Sequence, residues 1–386
     1  MDNYDVVIIG GGIHGVGVAQ AAAAAGFSVL LLEKNELACG SSSRSSKLIH
    51  GGLRYLESAQ FSLVHECLYE RHLLMSLAPD LVSLDRFYIP VYETTSRSSL
   101  TLRTGLLLYA ILGGLKVSTH FHALSKNHWS SLDGLKMQGL KAVYQYYDGR
   151  TDDHALTHAV MRSAIELGAE SVIPATFVSA QCEQDRVHIT YLDNGIEKKC
   201  QASALVNATG AWINSVLEKI TPASSAMAID LVQGTHLVLD DMPIQHCFYL
   251  EAPQDKRAIF LMPWKNKTLL GTTETRFNGQ PENVQPQQAE KDYLLEVVQY
   301  YFPEHVKFNV ADEFAGLRVL ISGDENDFSK PRDTVLYKSQ NRVINIYGGK
   351  LTTYRSTAVR VMKKLSSVLP PVKRKALTEN IKLKAQ

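Results

Sequence analysis

Cysteine is sparse in this 386-residue sequence, and its five cysteines form no CxxC pair. They are scattered along the chain as Cys39, Cys67, Cys182, Cys200 and Cys247. An odd number of separated cysteines in a long chain argues against a disulfide framework, because such frameworks join paired cysteines in small secreted domains. The pattern suits a reducing compartment, and we expect a cytoplasmic protein.

An excess of charge of either sign is also missing, since 40 Lys and Arg residues stand against 39 acidic residues. A balanced chain has no global field that would attract nucleic acid or a membrane surface, so we expect no nucleic-acid partner. The first apolar stretch begins within five residues of Met1. We therefore expect no signal peptide.

Long apolar runs are absent as well. The longest, GLLLYAILGGL at residues 105–115, is too short to span a bilayer. We expect it to form a core helix. The alternative is a helix whose apolar face dips into a membrane surface, which would make the protein peripheral at the inner face of the cytoplasmic membrane.

What the sequence does contain, at its start, is an aliphatic stretch followed by glycines, VVIIGGGIHGVG. Val6–Ile9 predicts a buried parallel strand, and Gly10, Gly12 and Gly15 have the G-x-G-x-x-G spacing. An alanine-rich stretch predicts a helix after them. A second strand, FSVLLLE, then ends at Glu33, 18 residues beyond Gly15. This order of elements predicts a dinucleotide-binding unit.

Each residue of this motif has a physical role. Gly10 makes the tight turn, Gly12 lets the backbone approach a pyrophosphate, and Gly15 allows the helix and strand to pack closely. The helix N-terminus offers unpaired N–H groups to the anion. Glu33, rather than a basic residue, favours an unphosphorylated ribose, so FAD or NAD is expected rather than NADP.

The sequence after Glu33 distinguishes FAD from NAD. A polar stretch, ELACGSSSRSSKLIHGGLRYLE (36–57), stands where a nicotinamide dehydrogenase would begin its next strand and helix. This stretch closely resembles the FAD-dependent glycerol-3-phosphate dehydrogenases of the D-amino-acid-oxidase-like flavoprotein superfamily. The other matching blocks are TDDHAL (151–156), LVNATGAW (205–212), QGTH (233–236), MPW (262–264), LGTTET (270–275), GLRVL (316–320), PRD (331–333) and YGGKLTTYR (347–355).

The resemblance implies that the cofactor is FAD. Besides the glycine motif and Glu33, the expected cofactor-binding residues are Ser42, Ser43, Ser46, Lys47, Leu48, Gly210, Gly348, Gly349, Lys350, Leu351 and Thr352. NRVINIYGGKLTTYR also predicts, by itself, a strand, a double-glycine turn and a helix start. A cation such as Lys350 beside the N1/C2=O edge of the flavin would stabilise its anionic reduced form.

The resemblance also implies oxidation of sn-glycerol 3-phosphate to dihydroxyacetone phosphate, with hydride transfer to flavin N5. Cations suit a phosphate dianion. We expect Arg54, Tyr55 and Lys350 to hold the phosphate and Arg318 to orient the hydroxyl. His236 is the expected base, because histidine titrates near neutral pH, and His50 is a rival base. The remaining expected substrate-side residues are Arg332 and Thr352.

Other functions stay open from the residues alone. One is a related flavin oxidase or dehydrogenase that acts on a 2-hydroxy acid or amino acid with O2, and another is a non-catalytic FAD-binding paralogue. Expected partners are a small phosphorylated polyol, a quinone or another electron acceptor, a peripheral membrane contact and a second copy in a homodimer. In the family a helical domain follows LTENIKL (377–383), and we expect it to be lacking here.

The fold class implied is α/β, with a Rossmann-like FAD-binding domain and an inserted antiparallel-sheet substrate (cap) domain. The FAD-binding domain is expected at 1–75, 145–215 and 310–375, and the cap at 76–144 and 216–309. A solvated tail is expected at 376–386. Alternating apolar residues predict a hairpin in 186–208, turning at 193–195, and antiparallel strands in the second domain.

Two further patterns have plainer interpretations. Asp152 and Asp153 resemble a carboxylate pair, but their place before HALTHAVMRSAIELGA predicts a helix N-cap. His154 and His158 have the i, i+4 spacing of metal ligands. No glutamate motif accompanies them, and we expect no metal site.

Overall fold

The computed structural model describes residues 2–305, 307–322, 334–340 and 342–385. Its helices are α1 (Ile13–Ala25), α2 (Phe61–Leu77), α3 (Ser99–Leu112), α4 (Asp153–Glu166), α5 (Ile213–Leu217), α6 (Gln288–Tyr301) and α7 (Tyr354–Leu365). Its strands are β1 (Asp2–Ile9), β2 (Val29–Leu32), β3 (Leu48–Ile49), β4 (Val82–Tyr92), β5 (His122–Ala123), β6 (Leu140–Thr151), β7 (Ala169–Val172), β8 (Ala175–Cys182), β9 (Val187–Asp193), β10 (Ile196–Asn207), β11 (Ile220–Thr221), β12 (Ile229–Leu239), β13 (Cys247–Glu251), β14 (Ala258–Trp264), β15 (Lys267–Gly271), β16 (Thr275–Phe277), β17 (Val310–Ile321), β18 (Val335–Gln340) and β19 (Val343–Tyr347).

The first sheet has a parallel centre, in the order β19-β10-β1-β2-β7. Strands β9 and β8 extend it antiparallel beyond β10. The predicted hairpin is confirmed, because β9 and β10 pair around Asn194 and Gly195, both at positive φ. The α/β prediction is confirmed by this parallel centre and its covering helices.

The first strand and helix form as the sequence predicts. Val6, Val7 and Ile8 are fully buried, because α1, α4 and α7 cover Val6 and Ile8 while side chains of β8 and β9 pack with Val7. Helix α1 is rich in alanine, and its small side chains let α4 and α7 pack against it. Gly26 ends α1 in the left-handed region at φ 102°, a conformation that glycine adopts without strain.

The second sheet lies over the cofactor side of the first and is mainly antiparallel, with the order β16-β12-β15-β14-β13-β4-β6-β3. The predicted antiparallel strands are confirmed by β12, β14 and β15. Strand β17 pairs with β12, and β6 pairs with β4. Both β17 and part of β6 therefore belong to the second sheet although the predicted boundaries place them in the FAD-binding domain. Those boundaries stay a prediction.

The apolar run at 105–115 is not a core helix, contrary to our expectation. It forms the second half of α3 and the turn after it, and only one face packs inward, through Leu106 and Tyr109. Leu107, Ile111 and Leu115 are 51%, 54% and 61% exposed. A helix at the surface can bury one face only, so a uniformly apolar run leaves the other face uncovered.

Most residues of the predicted tail are exposed or partly exposed in the described part of the final segment, but its backbone is held against the helices. Leu383 is 2% exposed, and its N–H donates to the Leu77 carbonyl at 2.7 Å. The N–H groups of Lys375 and Ala376 both donate to Ala24 O at 2.9 Å. The segment therefore packs along α1 and α2, because an apolar side chain and backbone donors find partners there that a solvated tail would lack.

Candidate active site

A cavity of about 640 Å³ runs from the end of β2 to the second sheet. Most predicted site residues line it, namely Gly10, Gly12, Glu33, Ser42, Ser46, Leu48, His50, Arg54, Tyr55, Gly210, His236, Arg318, Gly348, Gly349, Lys350, Leu351 and Thr352. The two sheets thus bring together segments that are separated by more than 300 residues in the sequence. One end of the cavity is rich in glycine, and the other is rich in arginine.

At the glycine-rich end, the backbone leaves no space for side chains on the turn. Gly10 has φ 106°, and a Cβ there would lie 2.7 Å from the Ala208 carbonyl oxygen. A Cβ on Gly15 would lie 1.8 Å from Gly10 O, so Gly15 supports the turn from beneath and does not itself line the cavity. This arrangement exposes the turn and the start of α1 to a ligand phosphate.

Glu33 closes this end of the cavity from β2. It is 8% exposed, and its Oε2 accepts a hydrogen bond from the Gly11 N–H at 2.6 Å. Its Oε1 accepts from the Asn35 N–H at 2.8 Å. A carboxylate fixed at the edge of a dinucleotide cradle can accept a hydrogen bond from a ribose hydroxyl.

The second glycine turn lies against the first helix. Gly348 and Gly349 have φ 67° and 120°, and a Cβ on Gly349 would lie 2.0 Å from His14 Nε2. Lys350 follows, with its Nζ 4.9 Å from the centre of the Tyr55 ring. The Thr352 hydroxyl donates to the His50 carbonyl at 3.3 Å. The two predicted substrate segments are therefore joined directly.

His236 lies deep in the wall of the cavity at 3% exposure. Its Nε2 is 2.9 Å from Ser46 Oγ, and its ring stacks on Phe314 with centroids 4.9 Å apart. Burial, together with the positive charges of Lys47 and Arg318, lowers the pKa of His236 to about 3. The ring is therefore neutral at physiological pH, but a pKa this low makes it a weaker base than the near-neutral histidine expected from the sequence.

Glu274 is a buried carboxylate that the sequence analysis missed. It accepts from Arg318 Nη1 at 2.7 Å and from Arg54 Nη1 at 3.3 Å. Arg257, also missed, approaches the same carboxylate at 3.8 Å and donates to the Glu274 backbone carbonyl at 2.8 Å. The sequence signal that could have identified Glu274 is an acidic residue inside LGTTET (270–275), one of the blocks that match the family.

Glu290 on α6 is a second missed carboxylate. It accepts hydrogen bonds from the hydroxyls of Thr235 and Thr273 at 2.7 Å and of Thr275 at 2.9 Å. These hydrogen bonds lower its pKa against the opposing effect of burial, which is the largest single contribution. Glu290 thereby fixes the strand that carries His236 against the loop that carries Glu274.

Two predicted cofactor-side positions, Lys47 and Ser43, differ in placement. The Lys47 ammonium is buried beside Asp153 at 2.6 Å and donates to the Ser43 carbonyl at 2.5 Å. Neither Lys47 nor Ser43 lines the cavity. The side chain of Lys47 is used to attach the serine-rich segment to α4. Arg332 lies outside the described residues.

The plainer interpretation of the acidic pair agrees with the structure. Asp152 is the N-cap of α4, and its Oδ1 accepts from the Ala155 N–H at 3.1 Å. The His154 and His158 rings lie side by side, 4.3 Å between centroids. Among the described residues, no group of three or more His, Cys, Asp or Glu side chains could hold a metal ion.

Comparison with known proteins agrees with this geometry. Residues 5–354 match the family model described as FAD dependent oxidoreductase. The chain belongs to this family. It is 36% identical to a D-erythritol 1-phosphate dehydrogenase from Brucella abortus, covering 96% of this chain and 75% of that protein. It is 34% identical to an aerobic glycerol-3-phosphate dehydrogenase from Escherichia coli, covering 95% of this chain and 74% of that protein.

A solved relative extends the comparison to structure. The glycerol-3-phosphate dehydrogenase from Bacillus halodurans complexed with FAD superposes with a TM-score of 0.78 at 27% identity, over 99% of this chain and 68% of that one. As a member of the FAD-dependent oxidoreductase family, the protein is an enzyme with FAD as its cofactor. The donor set fits this group, because the cavity offers a glycine cradle for the pyrophosphate and Glu33 for a ribose.

No helix among the described residues has the length and apolar character needed to cross a membrane.

Proposed function

We propose that this FAD-dependent oxidoreductase oxidises the secondary hydroxyl of a phosphorylated polyol, with sn-glycerol 3-phosphate as substrate and dihydroxyacetone phosphate as product. The observation that carries this proposal is the cationic end of the cavity. Arg54, Arg318 and Lys350 all line the cavity, and Arg54 and Arg318 meet at the Glu274 carboxylate. Curated relatives that act on phosphorylated polyols support the same substrate class.

The charge of this end of the cavity suits a dianion. The Glu274 carboxylate draws three guanidinium groups together, those of Arg54, Arg257 and Arg318, and Arg257 also pairs with Asp255. Guanidinium groups bind phosphate oxygens in a bidentate manner. Lys350, above the Tyr55 ring, adds a further cation to the cavity lining. In this proposal Arg54, Tyr55 and Lys350 hold the phosphate.

The proton and hydride leave the substrate by different routes. Bound FAD supplies the hydride acceptor of the reaction. Arg318 orients the hydroxyl and stabilises negative charge that develops on its oxygen. His236 is the proposed proton acceptor because its ring is neutral and its Nε2 meets only the Ser46 hydroxyl among hydrogen-bond partners of the described residues. His50, which lines the cavity beside Tyr55, is the second candidate.

The test is anaerobic titration of the purified yellow holoenzyme with substrate. We expect sn-glycerol 3-phosphate to bleach the flavin absorbance, whereas glycerol and lactate leave it unchanged. D-erythritol 1-phosphate is the second compound to titrate, since a relative bears its name. Bleaching by lactate or an amino acid, and not by either phosphate, would replace this proposal with the 2-hydroxy-acid or amino-acid oxidase function.

The second half of the reaction needs an electron acceptor, which we propose to be a quinone or another acceptor met at a membrane surface. Support comes from α3, whose outward face carries Leu100, Leu107 and Ile111, each at least 51% exposed. Residues 94–132 contain no Asp or Glu but include Arg103 and Lys116. An apolar face with cations around it suits peripheral contact with anionic lipid. The predicted homodimer stays a prediction.

A further inference from the structure

We propose that a second cavity, on the face of the second sheet opposite the FAD site, binds a phosphomonoester. The cavity measures about 450 Å³ and shares no lining residue with the FAD cavity. In β6, Tyr146 faces the FAD cavity whereas Gln145 and Tyr147 face this one, as the alternation of side chains along a strand requires. Binding here is therefore separable from binding at the active site.

The cavity has a permanent cation without a carboxylate. Arg86 lines it from β4, next to Tyr147 across the strand pair. Among the described residues, Arg86 has no acidic side chain within ion-pair distance, and the lining contains neither Asp nor Glu. An arginine facing a concave wall without a counter-charge attracts an anion.

A buried polar group also faces this cavity without a partner. Gln145 is 4% exposed and lines the wall. No hydrogen bond within the described part of the chain uses its carboxamide. The carboxamide is not among the fully buried unpartnered groups of the described residues, so solvent reaches it through the cavity and it can exchange water for a polar ligand.

Imidazole rings complete the donor set from other elements. His246 Nδ1 lies 2.9 Å from Asp133 Oδ2, which also accepts from the His246 backbone N–H at 3.0 Å. The ring is thus fixed, with Nε2 remaining for the cavity. His122, opposite Gln145 in the β5–β6 pair, and His128 line the other side.

The arrangement of these groups favours a tetrahedral anion. Arg86, Gln145, His122, His128 and His246 come from five separate segments that line one cavity, and so many donors match the three terminal oxygens of a phosphomonoester better than the two oxygens of a carboxylate. The volume exceeds that of inorganic phosphate and leaves space for an organic group beside the Tyr88 and Tyr147 rings. A free phosphorylated metabolite and a lipid with a phosphomonoester headgroup offer the same chemistry.

The experiment is a titration of the holoenzyme, labelled with 13C in its histidine rings, with inorganic phosphate followed by NMR. Signals of His122, His128 and His246, assigned through single His→Gln variants, are expected to shift and saturate. Arg86→Gln should weaken this binding about 10-fold or more, the usual effect of losing a hydrogen bond to a charged group. The control is Arg103→Gln, an exposed arginine of α3 with the same change of charge.

Two results would overturn the proposal: unshifted signals with both phosphate and lipid, or equal affinity in the wild type and Arg86→Gln. Vesicles with phosphatidic acid are compared with vesicles of phosphatidylcholine alone to distinguish the sources. Shifts with inorganic phosphate support a soluble ligand, and shifts with phosphatidic acid alone support a lipid headgroup. The His50 and His236 signals report on the active site separately, so the outcome does not depend on the proposed function.

Discussion

Glu274 and Arg318 are joined by a hydrogen bond of 2.7 Å between the carboxylate Oε1 and guanidinium Nη1. Arg54 contacts the same carboxylate from a different segment, at 3.3 Å. One buried acid therefore connects two arginines that the sequence separates by more than 260 residues. Its charge also reduces the repulsion between the two guanidinium groups, which would otherwise oppose their approach.

We predict that Glu274→Ala raises KM for the phosphorylated substrate about 10- to 100-fold, because both arginines lose the acceptor that positions them. Glu274→Gln, which keeps a hydrogen-bond acceptor of the same size, should bring KM within about threefold of the wild type. Steady-state kinetics of the FAD-loaded variants checks this. Glu313→Gln, at the partly exposed pair with Lys291, is the control. An unchanged KM in Glu274→Ala would contradict the positioning role.

The glycine turn provides a prediction about the cofactor. Gly10→Ala forces a side chain into a φ of 106° and within 2.7 Å of the Ala208 carbonyl, so the turn must move. We expect FAD affinity to fall at least about 10-fold, measured by flavin retention after dialysis, because the pyrophosphate then loses its close backbone approach. Gly105→Ala on α3, where a Cβ meets nothing within 4 Å, should retain FAD fully. Equal retention in both variants would be evidence against the cradle.

The first strand, helix and second strand could be predicted because their signals are local. Val6–Ile9 must be buried, Gly26 must end a helix, and Glu33 follows at a set distance. Glu274 could not be assigned in this way, because its role exists only where β17 and the segment around Arg54 meet. The burial of Leu383 could not be predicted for a similar reason. Its neighbours in the sequence are charged, as in a solvated tail, whereas its burial depends on α1 and α2, which are distant in the sequence.

The resemblance indicated which segments contribute to the site, but it did not indicate where each side chain of those segments points. Ser46, next to His236, and Thr352, next to His50, belong to blocks that the resemblance identified, and the structure brings each pair together. Lys47 belongs to such a block too, but its charge is used by Asp153. A motif indicates which segments surround a cofactor, whereas the direction of each side chain depends on packing with residues that the motif does not contain.

His14 gives a prediction about pH and stability. Burial, with the charges of Arg360 and Lys350, lowers its pKa to about 4, below the value of about 6.5 expected when unfolded. The unfolded chain therefore binds more protons between these values, so stability is greatest above pH 6.5 and falls as the pH drops towards 4. Between pH 7 and pH 5, His14 should cost the wild type about 2 kcal/mol.

The measurement is urea unfolding of the holoenzyme at both pH values. We expect His14→Asn to lose about 2 kcal/mol less than the wild type on acidification. His65→Asn, on the exposed side of α2, should lose as much as the wild type. An identical loss in His14→Asn and the wild type would mean that His14 is not held neutral.

His236 gives a prediction about rate. Removing a positioned base lowers turnover about 100- to 10,000-fold, and we expect His236→Ala to fall in this range with its flavin absorbance intact. Because the pKa of His236 is about 3 in the free enzyme, this group should add no decline of kcat/KM between pH 8 and pH 5. His50→Ala is the comparison. If His236→Ala keeps more than about a tenth of wild-type turnover while His50→Ala does not, His50 is the base.

The exposed face of α3 gives a prediction about membranes. Leu107 and Ile111 are each more than half exposed on this face, and burial of such side chains in a lipid interface contributes about 1.5–3 kcal/mol each. Leu107→Glu with Ile111→Glu should therefore reduce co-sedimentation with phosphatidylglycerol vesicles at least about 10-fold, while substrate-dependent flavin bleaching stays normal. Ile165→Glu, at the 49% exposed position on α4, introduces the same acid on another surface and should bind as the wild type does. If the wild type does not sediment with anionic vesicles at low salt, the protein does not bind them and α3 is not a membrane contact. If Ile165→Glu loses binding equally, the loss comes from added negative charge and not from the apolar face of α3.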